Sequence, residues 1–340
     1  MIVLPVRNVH EALPEAIRLL GQWGQPRDTR NGKALVAPEP VTTRYAFPRE
    51  RVLFWPERDA NPFFHFYESL WMLGGRNDVK SLTRFVGRMA QFSDDGKTFH
   101  GAYGYRWRGG CAPPLDQLNK IVEQLRKYPE DRRAVLQMWQ HTTDLGRDGK
   151  DVPCNLVAHF QVNAAGMLDM TVFNRSNDII WGCYGANAVH FSYLQEYVAA
   201  RLGRNVGTYW QVSDNWHAYV DVFEPLRPLA DKVHQLHRVV QWENPYDNVQ
   251  PYDLFMVNAE RWEQELATFL DVGAKAMGYQ EPFFRRVALP MVLAHDAHKQ
   301  HDYELALVRA GGIGATDWRR AVIEWLQRRR QKHDARTEAD

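Results

Sequence analysis

The chain has 340 residues, and with 45% hydrophobic and 12% aromatic side chains it can bury a substantial core as one large domain or two ordinary ones. Its 42 basic and 41 acidic residues leave a net charge of +1, which excludes a global field that would recruit nucleic acid or an anionic membrane, so any anion must be held by a local cluster. Cys111, Cys154 and Cys183 stand at unrelated spacings that make neither a disulfide framework nor a C-x-x-C metal motif.

The N-terminal stretch MIVLPVRNVHEALPEAIRLL is amphipathic and interrupted by charge, unlike a targeting segment, and no apolar run is long enough to span a bilayer, which points to a cytoplasmic protein. No repeat or linker divides the chain. The expected organisation is a catalytic core over residues 1–250 and a helical C-terminal extension over 251–340 packed on the same domain. Residues 51–73 predict a short strand, a Pro-interrupted loop and an amphipathic helix carrying Phe63, Phe66, Tyr67, Leu70 and Trp71, with Glu68 among them. Residues 133–140, 155–163 and 167–173 predict strands, the last two joined by a turn over Asn163–Gly166. A long helix over 186–202 should end at Gly203, and a strand (GTYWQVSD) should precede a helix (NWHAYVDVFEPL). From 253 onward helical patterns dominate.

Four polar segments follow one another: Asp131-Arg132-Arg133, Val152-Pro153-Cys154-Asn155, Asn174-Arg175-Ser176-Asn177-Asp178, and Ser213-Asp214-Asn215-Trp216-His217-Ala218-Tyr219. Singly, each has an ordinary reading, since a double Arg is usually a solvated strand edge and a lone Cys is usually inert core. Together they place guanidinium groups and a hydroxyl, suited to a phosphate dianion, on either side of one thiol. That positive field is expected to lower the thiol's pKa. His295, His298 and His301 drift around a helix with no cysteine or paired carboxylate to complete a tetrahedron, so no metal is expected. The Arg328-Arg329-Arg330 run reads as a solvated helix end.

In order and spacing these segments resemble the thymidylate synthase and pyrimidine nucleotide hydroxymethylase superfamily, over roughly residues 28–225. The resemblance implies an α+β fold, a mixed β-sheet flanked by helices with extra C-terminal helices, and an obligate homodimer. It implies that Arg30, in Asp28-Thr29-Arg30-Asn31-Gly32, binds phosphate with Arg175 and Ser176, and that Arg132 and Arg133 reach the neighbouring subunit's phosphate. Glu68, in Tyr67-Glu68-Ser69-Leu70-Trp71, would be the catalytic carboxylate, and Tyr103, in Tyr103-Gly104-Tyr105-Arg106-Trp107, would stand near the nucleophile Cys154. Asp178 and Gly182 would contact folate, and His217 with Tyr219 the ribose 3′-hydroxyl. The implied substrates are a pyrimidine nucleoside monophosphate and 5,10-methylenetetrahydrofolate, with no nucleic acid or membrane partner. Chemically, addition of Cys154 to C6 gives C5 carbanion character, C5 takes up the one-carbon unit, and hydride or water then completes a methyl or a hydroxymethyl group. Glu68 is the candidate to handle protons and position that water.

Departures from the synthase pattern direct the choice of base and product. Counted without a gap from Arg175, the position that reads uracil is Ala186, which offers neither donor nor acceptor, and Asn187 stands about 100° further round a helix. In that respect the chain looks most like cytidylate 5-hydroxymethylases of nucleoside-antibiotic pathways, so CMP or dCMP is the expected substrate. Residues 85–99 lack the family's Trp pair and the end of the chain is charged, which should admit water and favour hydroxymethylation. Asn155 replaces the usual His after the nucleophile. The alternatives are a thymidylate synthase, a dUMP hydroxymethylase, or a non-catalytic nucleotide- or RNA-binding protein; the last leaves Cys154 and Glu68 together unexplained.

Overall fold

Alternation of buried and open positions builds one mixed sheet of eight strands. They are β1 (Ile2–Val6), β2 (Gln25–Thr29), β3 (Gly32–Val36), β4 (Val41–Tyr45), β5 (Val135–Gln137), β6 (Asn155–Val162), β7 (Leu168–Asp178) and β8 (Val206–Tyr219). The computed structural model describes residues 1–111, 113–232, 244–254, 256–276 and 278–338. The order is β1-β4-β8-β7-β6-β5, with the β2–β3 hairpin attached through β3 to the end of β8. β7 and β8 are parallel and paired from Leu168↔Val206 to Asp178↔His217, so two long strands finish side by side. Phe160, Met170, Val172 and Tyr209 are buried on one face, whereas Val135 and Phe173 stay exposed on the other.

The helices are α1 (Val9–Trp23), α2 (Pro62–Leu73), α3 (Gln117–Lys127), α4 (Asn187–Leu202), α5 (Ala259–Val272), α6 (Leu289–Lys299), α7 (Tyr303–Gly311) and α8 (Thr316–Thr337). The arrangement meets the α+β expectation. α4 lies against β7 and β8, α2 lies against α4, and α5, α6 and α8 pack on α2. Two local signals start α2: the Asn61 side chain accepts from Phe64 N, and Pro62 occupies the first turn. Apart from Phe64 the helix is buried on every side, as its apolar sequence requires. A short helix, Tyr103–Trp107, crosses its C-terminal end. A Cβ on Gly104 would stand 2.0 Å from Met72 O, so only glycine permits that approach.

Three expectations need correction. Residues 51–55 form no strand. The segment NWHAY continues β8, because β7 pairs with it from Ser176↔Asn215 to Asp178↔His217 and β3 pairs with His217, Ala218 and Tyr219, holding it extended from both sides; helix begins only at Val220. Arg328 and Arg329 are not merely solvated, since both bond Asp59, at 3.2 and 2.6 Å. Earlier along the same helix, Trp318, Val322, Trp325 and Leu326 form a buried stripe, with Trp318 5.4 Å from Phe66 and Trp325 5.7 Å from Phe63. Among the described residues no helix is long and apolar enough to cross a membrane.

Because α8 is stitched to α2 by these rings, the C-terminal helices and the sheet should unfold together. Trp318→Ala is expected to cost about 3–5 kcal/mol in one cooperative urea transition; two transitions, with only one shifted, would contradict the shared core.

Candidate active site

The ends of β7 and β8 and the start of β6 bring most of the singled-out residues together. Cys154 immediately precedes β6 and is half-buried. Its carbonyl accepts from Arg175 N at 3.0 Å, and the Arg175 side chain folds back over the same loop: Nε donates to Pro153 O at 2.8 Å, and Nη2 to Val152 O at 3.0 Å while standing 3.8 Å from Cys154 Sγ. The guanidinium also lies 5.5 Å from the centre of the Trp139 ring. Tyr103 OH accepts from Cys154 N at 3.3 Å. These contacts fix a thiol beside a cation before any ligand arrives. Burial nonetheless raises the thiol above its ordinary pKa and Asp151 adds to the rise, while Arg175 and Arg30 pull the other way. The expectation of a net lowering is therefore corrected: desolvation outweighs the two arginines in the free protein.

Asp178 closes β7. Its Oδ1 accepts from Ile180 N and Trp181 N, both at 2.7 Å, and the chain then winds through a π-helical turn, Ile179–Ala186, that is kinked at Tyr184 and Gly185 before α4 begins. Asn187 N bonds Gly182 O, an i→i−5 step that absorbs one residue more than an α-helix would. As a result Asn187, and not Ala186, faces Asn177: Asn187 Nδ2 donates to Asn177 Oδ1 at 3.0 Å, and Asn177 Nδ2 donates to Ser213 Oγ at 3.0 Å. Gly182 packs directly on this pair, where a Cβ would fall 3.1 Å from Asn177 Oδ1. The second oxygen of Asp178 is buried without a hydrogen-bond partner among the described residues, and burial raises this carboxyl's pKa.

A cleft of about 1300 Å³ opens beside these residues, with Arg30, Glu68, Asp178, Ala186 and Tyr219 on its wall. Arg58 and Arg88 lie 4.3 and 4.4 Å from the Trp181 ring centre at its edge, and burial holds Arg58 down at about 10. Glu68, on α2, is bound by His190 of α4 across 2.8 Å. At the end of β8, His217 and Tyr219 meet edge to face at 5.4 Å, and Tyr219 OH accepts from Asn31 Nδ2 at 3.2 Å, tying the β2–β3 turn to the site. Arg30 in that turn is exposed and donates to Gly149 O at 3.4 Å. Ser176, half-buried, pairs with Asn215 across β7 and β8.

Arg132 and Arg133 are not brought in. Both are exposed ahead of β5, and Arg133 pairs with Asp131 at 2.8 Å. Asn177, His190, Arg58 and Trp181 were not singled out by the sequence; Asn177 lies inside the Asn174–Asp178 segment, whereas His190 had only its place three residues after Asn187 to signal it. Among the described residues no group of three or more potential metal ligands exists, and His295 and His298 pack against Phe63 and Trp325.

The family model described as "Thymidylate synthase" matches residues 14–261. The chain is 54% identical to the deoxyuridylate hydroxymethyltransferase of Pseudomonas phage M6, over 99% of this chain and 97% of that one. It is 41% identical to the protein of that name from Bacillus phage SP01 over 56% of this chain and 52% of the relative, and 28% identical to that of Delftia phage PhiW-14 over 83% and 81%.

With its pKa raised, Cys154 is mostly thiol at neutral pH, and its thiolate fraction grows as the pH climbs. Its alkylation by iodoacetamide, followed on the Cys154 peptide by mass spectrometry, should still be accelerating at about pH 9, past the ~8.5 of a free thiol. Arg175→Met should slow it further; a plateau below neutral pH would contradict the dominance of burial.

Proposed function

The chain belongs to the thymidylate synthase family, and from that premise we propose that it is a folate-dependent pyrimidine C5 hydroxymethyltransferase whose nucleotide is deoxyuridylate. One observation carries the choice of base: the additional residue in the π-helical turn presents the carboxamide of Asn187 beside Asn177. A carboxamide offers the acceptor for N3–H and the donor for O4 that uracil requires. The cytidylate expectation rested on Ala186 in that role; Ala186 lines the cleft but has no donor or acceptor to offer a base. Relatives named deoxyuridylate hydroxymethyltransferase support the same base and a deoxyribose.

Arg175, Ser176 and Arg30 would hold the phosphate, and His217 with Tyr219 the 3′-hydroxyl. Cys154 then adds to C6, with Arg175 Nη2 already beside Sγ to stabilise the thiolate as it is spent. The outward sheet face, where exposed Phe173 aligns with half-buried Val157 and Val212 across three strands, supports a homodimer in which Arg132 and Arg133 of each subunit complete the other's phosphate site. The cleft fits a folate: the Asp178 oxygen that has no partner among the described residues can accept from a pterin N–H, and Arg88, which lies over the Trp181 ring at the cleft edge, can pair with a carboxylate. 5,10-Methylenetetrahydrofolate supplies the one-carbon unit when bound. Glu68 faces the cleft from α2, where it can direct a water. The wall formed by Val86, Arg88, Met89, Gln91 and Phe92 has no Trp to exclude that water, which supports hydroxymethyl as the outcome.

Incubation with dUMP and methylenetetrahydrofolate should give a nucleotide heavier by CH2O together with tetrahydrofolate, whereas thymidylate with dihydrofolate would overturn the product and turnover of CMP alone would overturn the base. Asn187→Asp, which loses the donor to O4, should cut dUMP turnover by at least about 100-fold relative to dCMP.

A further inference from the structure

His190 lies on α4 one helical turn after Ala186, so the two side chains share a helix face, and Ala186 is on the cleft wall. The histidine is 3% exposed and Glu68 6%. Its Nε2 stands 2.8 Å from Glu68 Oε2, and its Nδ1 is buried with no hydrogen-bond partner among the described residues. With the proton on Nε2, the ring fixes the carboxylate from one side and leaves Nδ1 as an open acceptor. A buried polar atom of this kind is where a water is held. His65, one turn before Glu68 on α2, also lines the cleft, but burial pushes its pKa down to about 3, so it brings no charge that would draw Glu68 away.

We propose that His190 is the positioning residue that turns Glu68 toward water in the second half of the reaction, and so sets the product; this rests on the hydroxymethyltransferase reading above. After loss of the folate, the nucleotide bears Cys154 on C6 and an exocyclic methylene on C5. The water oxygen bonds to the methylene carbon, and the water's proton passes to Glu68. The methylene π electrons move through C5–C4 onto O4. Their return re-forms C4=O and C5=C6 and breaks C6–S, releasing Cys154 as thiolate. His190 neither adds to the ring nor leaves it. It keeps the Glu68 oxygen in line for the water, and Ala186, being small, leaves room above it.

The partition between early and late steps tests this. Wild type and the variants are given dUMP tritiated at C5, methylenetetrahydrofolate and 2-mercaptoethanol, which captures the methylene when water does not. His190→Leu should keep tritium release within about threefold, lose about 100-fold in hydroxymethyl product, and yield the thioether in its place. His190→Gln, whose amide N–H can still reach Glu68, should recover product to within about tenfold of wild type with the same tritium release. Unchanged product in His190→Leu, or equal loss of tritium release and product in His190→Gln, overturns the role of His190. Wild type that releases no tritium defeats the hydroxymethyltransferase reading itself, a separable result.

Discussion

One carboxylate oxygen governs where the chemistry falls. Asp178 Oδ1, accepting from two successive backbone N–H groups, stops β7 and turns the chain into a π-helical turn. The residue that this turn absorbs shifts the phase of all that follows on α4. Asn187 comes to Asn177, and one turn later His190 comes to Glu68 on a different helix. Trp181 is carried outward to the cleft edge, near Arg58 and Arg88, and the second oxygen of Asp178 has no hydrogen-bond partner among the described residues. π-Helical turns often sit at functional sites for this reason: they re-aim side chains without disturbing the helix beyond.

The Cys154 thiol is governed by a second balance, between burial and charge. Arg175 spends its donors on the carbonyls of Val152 and Pro153, so its guanidinium is immobilised beside Cys154 and needs no reorganisation when negative charge develops on sulfur. Burial still wins in the free protein and keeps the thiol protonated. The consequence is a group whose field is prepared in advance and used when sulfur is exposed to an electrophile, which differs from a permanently ionised cysteine. Desolvation costs of this sort are invisible in sequence, where only the arginines can be counted.

What could be read without coordinates follows from range. α2, the turn over Asn163–Gly166 and the end of α4 at Gly203 are set by neighbours in sequence, and each lies where local signals place it. The continuation of β8 through Trp216 and His217 depends on β3 and β7, which are distant in the chain, so a helical pattern was overridden. Arg328 and Arg329 find Asp59, which itself adopts a left-handed backbone (φ +46°), a contact that no spacing rule connects. In the site, the order of the polar segments was sufficient to gather Cys154, Arg175, Asp178, His217 and Tyr219. The contact of Asn187 with Asn177 was not legible, because an ungapped count from Arg175 cannot register the i→i−5 step at Gly182.

The central claim, that Cys154 opens a uracil nucleotide at C6 so that C5 can take a one-carbon unit, is tested most directly with 5-fluoro-dUMP and methylenetetrahydrofolate. Fluorine cannot leave C5 as a cation, so the reaction should halt after both new bonds have formed. Mass spectrometry of the digested protein should then find nucleotide and folate together on the Cys154 peptide. An unmodified Cys154 peptide, or an adduct carried by Cys111, would contradict it.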